Sequence, residues 1–137
     1  MTLIAEDLTL SPQLTRTQFL ASASGHKAQH VINNSAYQAY SFTAQITDGV
    51  PCVFTLYFHE DTLRDAMVYP LWTAPAGEWL GSQFALEQEN RFRNDALLVT
   101  LLSTPPYSYS WGEVLSIYDN RAGCSGILIR YAQSGRQ

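Results

Sequence analysis

Lysine is almost missing from this chain. Lys27 is the only one, and the seven arginines are scattered along 137 residues that carry 12 acidic groups, for a net charge of −4. A protein that binds DNA or RNA on its own needs a basic stripe to neutralise phosphates, so nucleic acid is disfavoured as a partner. Charged residues of either sign make up only 15% of the chain, against about 25% in a typical soluble domain. With an apolar fraction of 46%, that scarcity argues against disorder and for a well-buried fold.

Cysteine is also scarce. Cys52 and Cys124 stand alone at separate strand-like positions, which fits reduced thiols in a cytoplasmic protein, a single disulfide between them being the alternative. No apolar run approaches the ~20 residues that span a bilayer. Met1–Asp7 has neither a basic nor an apolar region, so no secretory signal is expected. The glycines at 77, 81, 112, 123 and 126 form no phosphate-binding pattern, and Ser110 and Ser116 have no nucleophile elbow around them. No cofactor and no metal are expected.

Aromatic residues are plentiful, with eight tyrosines among them. A Tyr-rich, charge-poor chain tends towards β-structure, and such rings suit contact surfaces as well as cores. The length fits one domain over residues 1–137, large enough to bury a core without staples.

The spacing of Thr15 and Gln18 is that of a capping box, opening a short helix that Gly25 is expected to stop. Residues 26–34 read as irregular, with a turn at Asn33-Asn34-Ser35. From Tyr37 the period becomes two: Tyr40, Phe42, Ala44 and Ile46 alternate with polar residues. Asp48-Gly49 signals a hairpin into Cys52–His59, and Glu60-Asp61-Thr62 turns the chain into Leu63–Leu71. A loop over 72–81 precedes a helix expected over 82–103. Ser82 would cap it, and Glu87–Arg91, Glu89–Arg93 and Arg91–Asp95 would pair along its surface. Pro105-Pro106 ends that helix. Two last strands follow, joined at Asn120–Gly123. If Asp119 faces Cys124 there, Glu113 falls opposite Arg130 and Leu115 opposite Leu128, a register that a one-residue slip would spoil. The fold class expected is α+β: an antiparallel sheet of about five strands, order αβββαββ, with one long helix packed on a face.

Candidate chemistry is thin. His26 and His30 have the i, i+4 spacing of helical metal ligands, but Gly25 interrupts the helix and Lys27 stands where a zinc peptidase needs glutamate. His59-Glu60-Asp61 joins a base to two carboxylates, yet reads equally as a polar turn. Either cysteine could in principle pair with a histidine as a nucleophile. Candidate partner-binding residues are the acidic Glu78, Glu87 and Glu89, and Tyr107 and Tyr109 in the aromatic segment 105–111.

The terminal strand pair, Trp111-Gly-Glu-Val114 to Gly123-Cys-Ser-Gly-Ile-Leu-Ile-Arg-Tyr131, with Trp79, Glu87 and Arg91 before it, resembles the immunity proteins of polymorphic-toxin and contact-dependent inhibition systems. These are small, acidic bacterial α+β proteins without a shared active-site motif, so no residue role carries over. The resemblance implies a non-enzymatic cytoplasmic module that blocks a basic toxin domain. The alternatives are a small hydrolase or metal-assisted enzyme using His59 with nearby carboxylates, and a homo-oligomeric structural subunit.

Overall fold

The alternating pattern that begins at Tyr37 forms the strand next to one edge of a seven-stranded antiparallel sheet. The computed structural model describes residues 3–6, 8–46, 49–72, 83–119 and 124–132. Strands β1 (Leu3–Ala5) and β2 (Leu8–Leu10) form a separate two-stranded ribbon. Helices α1 (Arg16–Ala21) and α2 (Ala23–Lys27) follow. Then come β3 (Gln29–Asn34), β4 (Tyr37–Gln45), β5 (Pro51–His59), β6 (Thr62–Pro70), α3 (Gln83–Leu102), β7 (Tyr107–Tyr109), β8 (Gly112–Asp119) and β9 (Cys124–Tyr131). The sheet order is β3-β4-β5-β6-β9-β8-β7.

This architecture corrects the expected five-stranded sheet of order αβββαββ with one long helix. Among the described residues the sheet has seven strands, a ribbon precedes it, and there are three helices. The elements that escaped the sequence pattern are edges and short pieces. All six residues of β3 are exposed and a bulge separates His30 from Ile32, so the strand carries no in–out alternation. β7 is only three residues long.

The N-terminal helices show local chemistry at work. Thr15 and Gln18 form the capping box: the Gln18 amide donates to Thr15 Oγ1, and the Thr15 amide to Gln18 Oε1, both at 3.0 Å. The helix stops before Gly25, however. Ser22 ends α1 and caps α2, accepting from the Gly25 amide at 3.1 Å. Gly25 is needed for contact instead: a Cβ there would lie 2.0 Å from the Phe19 carbonyl oxygen.

Asp48 of the expected Asp48-Gly49 turn, Ser82, the segment 73–81 and the turn Asn120–Gly123 lie outside the described residues. The register of the last hairpin is as expected, with Asp119 opposite Cys124, Leu115 opposite Leu128 and Glu113 opposite Arg130.

Cross-strand registers sort the side chains into two faces. Phe42, Phe54, Val68 and Ile127 form one row, and Tyr40, Leu56, Ala66, Ile129 and Val114 the next. These rows are the buried face. Phe19 of α1 inserts there, its ring 5.6, 5.4 and 5.9 Å from those of Tyr40, Phe42 and Phe58. Leu97, Leu98 and Leu101 of α3 meet Val68, Ile127 and Ile129 on the same side. Burying each such large side chain stabilises the fold by roughly 1.5–3 kcal/mol. The helices thus lie on one face of the sheet.

Candidate functional site

The opposite face is built from the alternate residues of the same strands. Ala39, Tyr57, Asp65, Arg130, Glu113 and Ser108 stand in one line across six strands. The next line holds Ser41, Thr55, Met67, Leu128 and Leu115. A one-sided sheet should carry polar residues here. Instead Tyr57, Met67, Tyr69, Ile117 and Leu128 surround a hollow of about 450 Å³, with Asp65 and Arg130 at its side. Met67 is only 5% exposed despite lying on the helix-free face.

Gly126 explains how these side chains pack so closely. A Cβ on it would come within 2.8 Å of Met67 Cε and 3.0 Å of the Tyr69 ring. The absent side chain lets Met67 and Tyr69 settle against the backbone of β9.

The charges are ordered too. Arg130 sits opposite Asp65 on one neighbouring strand and Glu113 on the other. Burial pushes the Asp65 carboxyl above the ordinary range, while Arg130 and then Arg64 pull it back down. At the β5 end of this face, Tyr37 packs its ring 4.7 Å from His59.

The residues expected to bind a partner are placed as follows. Glu78 lies outside the described residues, as does Trp79. Glu87 belongs to α3, but its side chain is likewise outside the description. Glu89 is exposed and paired with Arg93 at 3.5 Å, which offsets part of its charge. Tyr107 is buried, and its hydroxyl donates to the Ser103 carbonyl at 2.9 Å. Tyr109 is 39% exposed and stacks on Trp111 at 5.0 Å, Trp111 resting in turn on Tyr131 at 5.6 Å. Leu128 and Arg130 were expected only as register partners in the last hairpin, and Tyr57, Met67 and Tyr69 were not expected at a site. The signal for those three was present: bulky side chains at strand positions that solvent should face.

The enzymatic constellations come apart. Cys52 and His59 lie at opposite ends of β5, and Cys52 is on the buried face, where burial pushes its thiol up to about 12. Neither Cys52 nor Cys124 is part of a disulfide. Asp61 is occupied with structure, accepting from the Thr17 amide at 2.9 Å and from its hydroxyl at 3.0 Å. His26 belongs to α2 while His30 belongs to β3, where it stacks on Tyr40 at 4.5 Å and bonds Gln38 Oε1 through Nε2. Among the described residues no group of three or more His, Cys, Asp or Glu is placed to hold a metal ion. Nor, among them, is any helix long and apolar enough to cross a membrane.

No family model matches the chain, and no curated protein or solved structure matches it. What the surface can do chemically therefore rests on its own geometry. It offers ring faces, hydrogen-bonding groups and charges of both signs in fixed order.

Proposed function

We propose that the protein is a non-enzymatic binding module of the immunity type, which occludes a toxin domain by docking it on the helix-free face of the sheet. The observation that carries the reading is the composition of that face. Its centre is Tyr57, Tyr69 and Leu128 over the buried Met67, with Arg130 beside them and Ser41, Thr43 and Thr55 further out. Aromatic residues and arginine at the centre, with polar residues at the rim, are what protein interfaces favour. The size fits as well. The five long strands β4, β5, β6, β9 and β8 span roughly 19 by 28 Å, and with the shorter β3 and β7 the face covers roughly 670 Å², of the order of the ~800 Å² that each partner contributes to a standard interface.

The net charge of −4 favours a basic partner, since charge complementarity speeds encounter and selects among competitors. The same reading places the protein in the cytoplasm, where Cys52 and Cys124 stay reduced.

The test compares capture of a partner from the native cell extract by the wild type and by Tyr57→Ala, which leaves the Asp65–Arg130–Glu113 line intact. The reading expects one stoichiometric basic protein with the wild type, and at least about tenfold less with the variant at unchanged melting temperature. Equal capture by both overturns the assignment of this face.

A second reading, self-association, has one specific observation behind it. The outer strand β3 is wholly exposed and displays Val31 and Ile32, and such edges invite pairing. Light scattering at high concentration separates this from a monomer.

A further inference from the structure

β8 is longer than the strand that covers it. β7 pairs with it only through Tyr107–Val114, Ser108–Glu113 and Tyr109–Gly112, whereas β8 continues to Asp119. From Leu115 onward, the edge that faces away from β9 has no strand partner among the described residues. The chain that would extend β7 along it is Pro105-Pro106, which has no amide hydrogen to donate to a ladder. Leu115 and Tyr118 are both exposed on this stretch. A free run of amides and carbonyls of this kind is a template for an added strand.

A cavity adjoins that edge. Leu98 and Val99 of α3, Pro105, Pro106, Val114 and Ser116 enclose about 390 Å³. Ser116 Oγ is buried and has no hydrogen-bond partner among the described residues. Val99, on the rim, is 52% exposed, and Phe92, two helical turns earlier on the same side of α3, is 70% exposed. Asp95 also borders the cavity and makes no ion pair among the described residues.

These three features point to one kind of occupant. An open ladder requires an extended main chain, an apolar cavity requires a bulky side chain, and an unpaired acid favours a neighbouring cation. We propose that the edge of β8 over residues 115–119 is a second docking site, which takes an extended basic segment of another protein as an added strand with an apolar side chain in the cavity. It uses the main-chain edge of β8 and the cavity on the α3 side, shares Leu115 and Ile117 with the helix-free face, and does not depend on that face binding anything.

The test is an amide NMR titration of the full chain with a defined probe. The probe is an acetylated, amidated octapeptide of alternating threonine and valine carrying one central phenylalanine and one adjacent lysine. The expected result is saturable shifts at residues 115–119 and at Val99. Replacing the probe's phenylalanine with alanine should weaken binding by about tenfold, as loss of an anchor does. Val99→Lys in the protein should do the same, since it places a cation at the cavity mouth against the probe's lysine, and its exposed position keeps folding intact, as the melting temperature will show. Asp95→Asn should flatten the salt dependence. No saturation at millimolar probe, shifts confined to other surfaces, or indifference to the phenylalanine would overturn the proposal. So would light scattering that shows a dimer whose β8 amides are already protected, because a second copy would then be the occupant.

Discussion

Asp65 lies directly opposite Arg130 on neighbouring strands, on the face of the sheet away from the helices. Burial of the acid outweighs the nearby cations, so its affinity for a proton is higher in the folded protein than in the unfolded chain. The folded state therefore binds more protons between the ordinary carboxyl pKa and the raised one, and stability falls as pH rises through that window. Asp65→Asn should be more stable than the wild type at pH 7, with the difference closing once the solution is acidic enough to protonate the carboxyl in both states. Urea unfolding across pH checks this. A variant less stable at pH 7 would show that Arg130 dominates instead.

Asp61 tests the enzyme alternative from the other side. Its carboxylate receives two hydrogen bonds from Thr17 in the first turn of α1, and its carbonyl accepts from the Arg16 amide at 3.0 Å. Asp61→Ala should cost about 1–2 kcal/mol of stability, the usual loss when a helix-capping acceptor is removed. Denaturant unfolding gives the number, and an unchanged midpoint would return Asp61 to the list of free acids.

The two thiols should differ in reactivity. Cys52 is fully buried with its pKa pushed up to about 12, whereas Cys124 is half-buried at the start of β9. The thiolate is the reactive form. At pH 8 an alkylating reagent should modify Cys124 in the native protein, and Cys52 only after denaturant is added. Mass spectrometry of timed aliquots reads both.

Charge on α3 bears on the partner's sign. Reversing the exposed Glu89 to lysine should slow association with a basic partner and reduce its salt dependence. The cause is the lower net negative charge rather than a lost contact, since α3 lies on the other side of the sheet from the docking face. The melting temperature should stay within a degree or two because surface changes rarely exceed about 0.5 kcal/mol. Surface plasmon resonance at two ionic strengths checks it. Unchanged binding removes this charge steering and leaves the sheet face.

Legibility along the chain followed the strength of local constraints. The capping box at Thr15 and Gln18 could be read because both hydrogen bonds are made within four residues. The register of β8 on β9 could be read because a slip would move Val114 and Ile129 out of the core and separate Glu113 from Arg130. β3 could not be read, since an exposed, bulged edge has no buried side to impose a period on its residues. Gly25 looked like a helix stop, and its real constraint is the approach of α2 to the Phe19 carbonyl.

Composition and local pattern by themselves determined a folded, β-rich chain poor in positive charge, the central hairpins, and the pairing of the last two strands. Tertiary structure alone decided which surfaces are available. Asp65, Glu113 and Arg130 meet because β9 inserts between β6 and β8, a placement set by long-range packing that no window of sequence contains. The open stretch of β8 has the same origin. It exists because β7 is shorter than its partner, and only the assembled sheet shows which amides that leaves uncovered.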